Sequence, residues 1–354
     1  MARGCCAPGR NGNAAPRGLS WGTPLAGGPM SPRHALAVLC FTGALLAACR
    51  SAAPAPAAEA ARSEGTWEPA PPMLHARSAH AVVSDGKSIY ALAGSGAGGV
   101  PVREVERFDG TRWQVETQLP GDGLNAPAAV VLGDTLYLVG GFSGVSNLPT
   151  DRVYRYSLSQ HTWSEAAPLP APRGGHAAVV LDGKLHVLGG GNSQSTLALH
   201  SVYDPATNTW SERAPLPRSE GSPAALAVDG KLWAIGGRSG PSDFGEVYLY
   251  DPAQDRWSSG PPIPPRGTAG AVRYRGALYV IGGESQALGR SLDSVLRLDP
   301  TEGTWRDAPP LPTARNYARA VLLGDAIYVV GGSPLAGRSH SSEGSTIVER
   351  FRFP

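Results

Sequence analysis

From about residue 66 onward, apolar and polar positions fall into short segments of four to six residues, too short for helices and punctuated by glycine. In His176-Ala-Ala-Val-Val-Leu181, small and branched apolar residues run up to Asp182-Gly183. A second apolar run, Lys184-Leu-His-Val-Leu188, then ends at Gly189-Gly190. Asp and Gly tolerate the positive φ that a two-residue hairpin requires, so the two runs are expected to be antiparallel neighbours. The same turn position carries Asp85-Gly86, Gly133-Asp134, Asp229-Gly230, Arg275-Gly276 and Gly324-Asp325. A third run such as Ser201-Val-Tyr-Asp204 leads through an Asp-Pro turn, at 204, 251 and 299, to a strand carrying tryptophan.

This four-strand unit recurs. The second glycines stand at 94, 141, 190, 237, 283 and 332, a period of 46 to 49 residues, and Trp67, Trp113, Trp163, Trp210, Trp257 and Trp305 run in phase with them. A repeat of that length is what blades of a propeller require. Single blades cannot bury both faces, and radial stacking does it while leaving few open edges. The innermost strands must then be poor in bulk, which Ala79, Ala81, Ala128, Ala129, Ala177, Ala178, Ala224, Ala225, Ala269, Gly270, Ala318 and Ala320 satisfy. Trp67 precedes any first strand, and only one strand, Ile347 to Phe353, follows the last glycine pair. The N-terminal strand is therefore expected to complete the sixth blade.

The glycine pair, the third-strand aromatic and the tryptophan resemble the Kelch repeat over about residues 66 to 354, which implies an all-β, six-bladed Kelch-type β-propeller. Ala93 departs from the pattern at the first glycine of repeat one. The third-strand aromatics are read as Phe108, Tyr154, Tyr203, Tyr248 and Phe351, with Leu296 in repeat five.

Ahead of the repeats, residues 1–29 form an Arg/Gly/Pro/Ala-rich extension without periodicity, read as lying upstream of the true start at Met30. From Met30, a polar start, the apolar stretch Ala35 to Leu46 and Leu46-Ala-Ala-Cys49 read as a signal peptide. The twelve apolar residues would reach only about 18 Å as a helix, against about 30 Å for a bilayer core. Leu-Ala-Ala-Cys resembles a bacterial lipobox, which implies lipidation at Cys49, cleavage before it, and a place in the cell envelope. Residues 50–65, rich in Ala and Pro, read as a tether. Arg50, which is not the aspartate that resembles an inner-membrane retention signal, points to the outer membrane.

A net charge of +2 gives no reason to invoke nucleic acid. All four cysteines, at 5, 6, 40 and 49, precede the repeats, so no thiolate metal site or copper-oxidase centre of the galactose-oxidase kind is expected, and no cofactor.

In Kelch domains the loops before strand one and after strand two share a mouth of the channel and commonly hold the ligand. Counting back from the hairpin turns brings Arg173, Arg266 and Arg315 to one position, with Glu220 and Leu124 in the other repeats and Arg77 and Arg218 slightly out of register. Phe142, Asn192, Arg238, Glu284 and Ser333 follow the glycine pairs, and Tyr317 adds a stacking surface. An arginine-rich mouth offers forked donors to carboxylate or phosphate; equally, the arginines could tie the repeats together. The favoured function is a monomeric, noncatalytic module binding a protein, peptide or glycan, anionic in part. The alternative resembles the periplasmic Kelch sugar-acid mutarotases, with Glu220 and Arg218, or Glu284 and Arg266, as the acid/base pair.

Overall fold

The computed structural model describes residues 65–299, 301–336 and 344–353. The upstream extension, the leader with Cys49, and the tether up to residue 64 lie outside the described residues.

Six antiparallel four-stranded sheets make up the fold. Blade 1 consists of Ala81–Ser84, Ile89–Leu92, Glu104–Phe108 and Trp113–Gln118. Blade 2 has Ala128–Leu132, Thr135–Val139, Val153–Ser157 and Thr162–Glu165; blade 3 has Ala177–Leu181, Lys184–Leu188, His200–Asp204 and Thr209–Glu212. Blade 4 runs through Ala224–Val228, Lys231–Ile235, Val247–Asp251 and Arg256–Ser259, and blade 5 through Gly270–Tyr274, Ala277–Ile281, Val295–Leu298 and Trp305–Ala308. Blade 6 combines Arg319–Leu323, Ala326–Val330 and Val348–Arg352 with the N-terminal strand Thr66–Pro69. In it Thr66 pairs with Arg352 and Trp67 with Phe351. The six first strands neighbour one another in a closed circle, so the architecture is a six-bladed propeller.

There is no single central core. Six apolar clusters each span one junction between neighbouring blades: Leu92, Val105, Leu136 and Tyr156 join blades 1 and 2, for example, and Ile89, Phe108, Tyr328 and Val330 join blades 6 and 1. Burial therefore rewards stacking of blades rather than any blade alone. The tryptophans add a polar stitch. Trp67, Trp113, Trp210, Trp257 and Trp305 each donate from Nε1 to a carbonyl just beyond the outer strand of the preceding blade, at 2.7 to 2.9 Å. The Trp163 Nε1 is buried without a partner, next to blade 1, whose outer pair carries a register shift at Val105/Glu106.

The glycine pairs are fixed by close approach. Gly189 has φ 62°, and a Cβ there would stand 2.5 Å from the Glu220 carbonyl oxygen; Gly332 has φ 91°, and its Cβ would meet the Asn316 carbonyl at 2.4 Å. The first glycine meets the entering backbone of the next blade and the second that of its own, and only Ala93, in blade 1, carries a Cβ at either position.

Two details of register differ from the reading of the sequence. The residues opposite the tryptophans are Phe108, Tyr156, Tyr203, Tyr250, Leu298 and Phe351, so Tyr154, Tyr248 and Leu296 stand two residues from the partner position. Positions i and i+2 share a face of a strand, and both are aromatic in blades 2 and 4, so pattern alone could not choose between them. In blade 1 the hairpin loop is four residues, Asp85 to Ser88, with Asp85 Oδ1 accepting from the amides of Lys87 and Ser88.

Candidate functional site

The loops before first strands and after second strands pair on one end of the ring. The pairings are Ser78 with Ser95, Asn125 with Phe142, Gly174 with Gly191, Gly221 with Arg238, Gly267 with Glu284, and Asn316 with Ser333. Gly191, not Asn192, holds the equivalent position in blade 3; Asn192 lies one residue further on, its Oδ1 capping the amides of Gln194 and Ser195.

Beneath these pairs is a ring of six equivalent residues, Ala79, Ala126, Gly175, Ser222, Thr268 and Tyr317, all with φ between 48° and 61°. There the chain turns from the radial loop into the axial strand. The amides of Ala126, Gly175, Ser222, Thr268 and Tyr317 each donate to the preceding member's carbonyl, at 2.5 to 3.2 Å. Five members are small. The sixth, Tyr317, covers the axis with its ring and packs with Ala79, Ala126 and Phe142.

An open cleft of about 380 Å³ lies over this floor, lined by Phe142, Thr196, Ser222, Arg238, Gln286 and Tyr317 among others. Arg238 organises its polar side. One terminal nitrogen bonds Glu284 Oε1 and the other donates to the Tyr317 hydroxyl at 3.1 Å. The Ser222 hydroxyl lies 3.4 Å from the same phenol, and Asn316 Nδ2 donates to Glu284 Oε2 at 3.3 Å. Asp243 accepts the Gln286 amide, and burial pushes its carboxyl above the usual range.

The remaining arginine candidates do not reach the cleft. Arg77, Arg173 and Arg315 are fully buried and Arg266 nearly so. Their guanidinium groups turn into their own blades, where the second strand stops at the small pair and leaves carbonyls open. Arg77 donates to the carbonyls of Ala93 (2.9 Å) and Glu104 (2.6 Å); Arg315 to those of Gly331 (2.9 Å) and Ile347 (3.0 Å); Arg266 to those of Gly282 and Ser294 (3.4 Å each). Arg173 donates to the Ser201 hydroxyl at 2.8 Å. Buried carboxylates complete two of these clamps, Glu106 for Arg77 and Glu349 for Arg315. The backbone at the same position serves the preceding blade: the carbonyls of Arg77, Leu124, Arg173, Glu220, Arg266 and Arg315 each accept the amide of a second glycine. This position is an inter-blade clamp, and Arg77 is in register with the others.

Two pairings expected from the sequence are also not formed. Arg218 is partly exposed, binds Glu246 at 2.6 Å and lies over the Phe244 ring; Glu284 bonds Arg238 rather than Arg266. Glu220 occupies the clamp position of blade 4, 1% exposed, with no hydrogen-bond partner at either oxygen. Burial pushes its carboxyl up to about 8. Two histidines missed by motif reasoning extend the stitching. His176 Nε2 faces the Val139 carbonyl of blade 2 at 3.1 Å and is held neutral by burial, its pKa lowered to about 3. His80 packs its ring against Gly331 of blade 6.

Comparison with known proteins places this geometry. A family model described as the KLHDC2/KLHL20/DRC7 Kelch-repeats domain matches residues 63–220 and 127–332. The chain is similar to Kelch-like protein 35 of Mus musculus, 33% identical over 145 residues, covering 40% of this chain and 24% of that protein. Kelch-like protein 23 of Homo sapiens is 35% identical over 146 residues, covering 40% and 25%. The chain thus spans about a quarter of the length of the curated relatives it matches. The solved structure of YjhT superimposes with a TM-score of 0.68 at 17% identity, over 79% of this chain and 95% of that one, a likeness of fold.

Proposed function

The chain belongs to the Kelch-repeat family, and on that premise we propose that it is a binding module whose loop end takes a protein or peptide partner. The observation that carries this reading is where exposed apolar side chains collect. Among the described residues seven large hydrophobics are exposed, and five of them, Val100, Val145, Leu148, Leu288 and Leu335, sit on the loops that follow second strands. They form an apolar rim to the loop end of the ring, the end that also holds the cleft lined by Phe142, Arg238 and Tyr317. Apolar contact area gathered around a few aromatic and arginine anchors is the anatomy of a protein interface, whereas singly scattered surface apolar residues would carry no meaning.

The leader and Leu46-Ala-Ala-Cys49 support an envelope lipoprotein, tethered through residues 50–65 so that the propeller stands off the outer membrane. Intact mass of the membrane-fraction protein tests it: an unlipidated N-terminus upstream of Cys49 would overturn the assignment.

Partner binding is tested by cross-linking the full chain in envelope extracts against a variant with Val145, Leu148 and Leu288 changed to Glu. The expected result is a partner captured by the wild type and lost by the folded variant. Equal capture by both refutes the rim as the binding surface. The Arg238, Glu284 and Tyr317 constellation supports a second reading, an isomerase of sugar acids using these groups for proton transfer. Anomer exchange on sugar acids by the wild type, absent in Glu284→Gln, would favour it.

A further inference from the structure

Beneath the Tyr317 floor the axial channel contains a site of different character. Thirteen residues before each second glycine, the six first strands place Ala81, Ala128, Ala177, Ala224, Gly270 and Arg319 at equivalent positions. Five of these carry a methyl group or nothing, as convergence on one axis demands. The sixth puts a guanidinium into the channel.

The channel space is about 130 Å³, walled chiefly by alanines of all six blades together with His176 and Arg319. Arg319 donates from Nε to the His80 carbonyl at 3.1 Å, and its guanidinium lies 5.7 Å from the Tyr317 ring centroid. Among the described residues its two terminal nitrogens have no hydrogen-bond acceptor, and no carboxylate lines the channel. His176 supplies no charge, being held neutral by burial. Of the clamp arginines, Arg77 and Arg315 have buried carboxylates of their own, and Arg173 and Arg266 are held by a hydroxyl and by carbonyls, whereas the terminal nitrogens of Arg319 have neither. Arg319 is partly buried in the channel, and a guanidinium partly withdrawn from bulk water without a counter-charge favours a partner that brings one. Its planar fork suits two oxygens of one anion. The space has room for several waters or one small ion.

We propose that Arg319 makes the axial channel a binding site for one small inorganic oxyanion of the phosphate or sulfate class, separate from the loop-end cleft. Occupancy neutralises the one ionised side chain lining the axis and ties blade 6, through Arg319, to the contents of the ring. The site does not require the loop-end reading to hold.

The test is thermal unfolding of the full chain in sodium sulfate, and separately in sodium phosphate, each against sodium chloride at matched ionic strength, for the wild type and Arg319→Gln. The wild type should show a saturable rise in Tm with the oxyanion that Arg319→Gln lacks. Without oxyanion the variant should be no less stable, because it removes an uncompensated charge. A saturable rise of equal size in both, or none in the wild type beyond the chloride control, overturns the proposal. If Arg319→Gln fails to fold, wild-type crystals soaked in selenate decide: anomalous density beside the Arg319 terminal nitrogens supports the site, and density elsewhere only, or none, refutes it.

Discussion

Glu220 gives a quantitative handle on the clamp ring. Four blades place arginine at this position and blade 2 places Leu124, whereas blade 4 buries a carboxyl with no donor to either oxygen. By register, the carbonyls of its blade at this place are those of Gly236 and Glu246, the latter already accepting the Gly236 amide, and both repel a carboxylate as they would attract a guanidinium. The acid therefore stays protonated in the fold, its pKa raised from 4.5 to about 8, burial first and Glu246 adding to it against the pull of Arg218. The folded state then binds more protons than the unfolded one between those values, so stability is complete below pH 4.5 and declines as pH rises through 8. Each pH unit in that window removes about 1.4 kcal/mol, giving roughly 3 kcal/mol by pH 7 and a ceiling of about 5 kcal/mol above pH 8. Glu220→Gln keeps the shape and abolishes the titration. Urea unfolding followed by tryptophan fluorescence at pH 5, 7 and 9 should give stabilities within about 1 kcal/mol of each other at pH 5 and a widening advantage for the Gln variant above it. The buried histidines, which destabilise the fold on the acid side as their depressed pKa values require, are common to both proteins and cancel. Parallel pH profiles for the two proteins would refute a protonated Glu220.

Further outcomes follow from the stitching between blades. Arg315→Ala should cost about 3–5 kcal/mol, since it strands Glu349 and two carbonyls in the interior; urea melts check this, and a loss under 1 kcal/mol would contradict the clamp. Replacing Arg173, Arg266 and Arg315 together by Ala should unfold the ring rather than silence a folded binder, as circular dichroism would show. Trp67→Ala should cost about 3 kcal/mol, at the low end for a large aromatic because the side chain is half-buried, and unchanged melting would mean that the N-terminal strand does not hold blade 6 closed. Trp210→Phe loses a bond from Nε1 and should cost about 1 kcal/mol more than Trp163→Phe, which removes a buried donor without a partner; equal melts would negate the tryptophan stitch.

The period, the blade count and the small innermost residues could be read directly, because they are properties of spacing along the chain, and spacing survives without knowledge of neighbours. So could the loops that form the cleft, with Phe142, Arg238 and Tyr317 lining it and Glu284 behind Arg238. Side-chain direction could not be read this way. Arg173, Arg266 and Arg315 share a repeat position in the sequence, yet whether they face a ligand or the blade depends on which carbonyls are left open beside each glycine pair, and those belong to strands 16 or more residues away. Tyr154 and Tyr156 lie on one face of one strand, and only pairing with Trp163 distinguishes them. Nothing in the sequence marks Arg319, a single polar residue between Ala318 and Ala320. Convergence of six strands on an axis turned it into a lone charge in a narrow channel, because radial closure alone sets how close those six positions come.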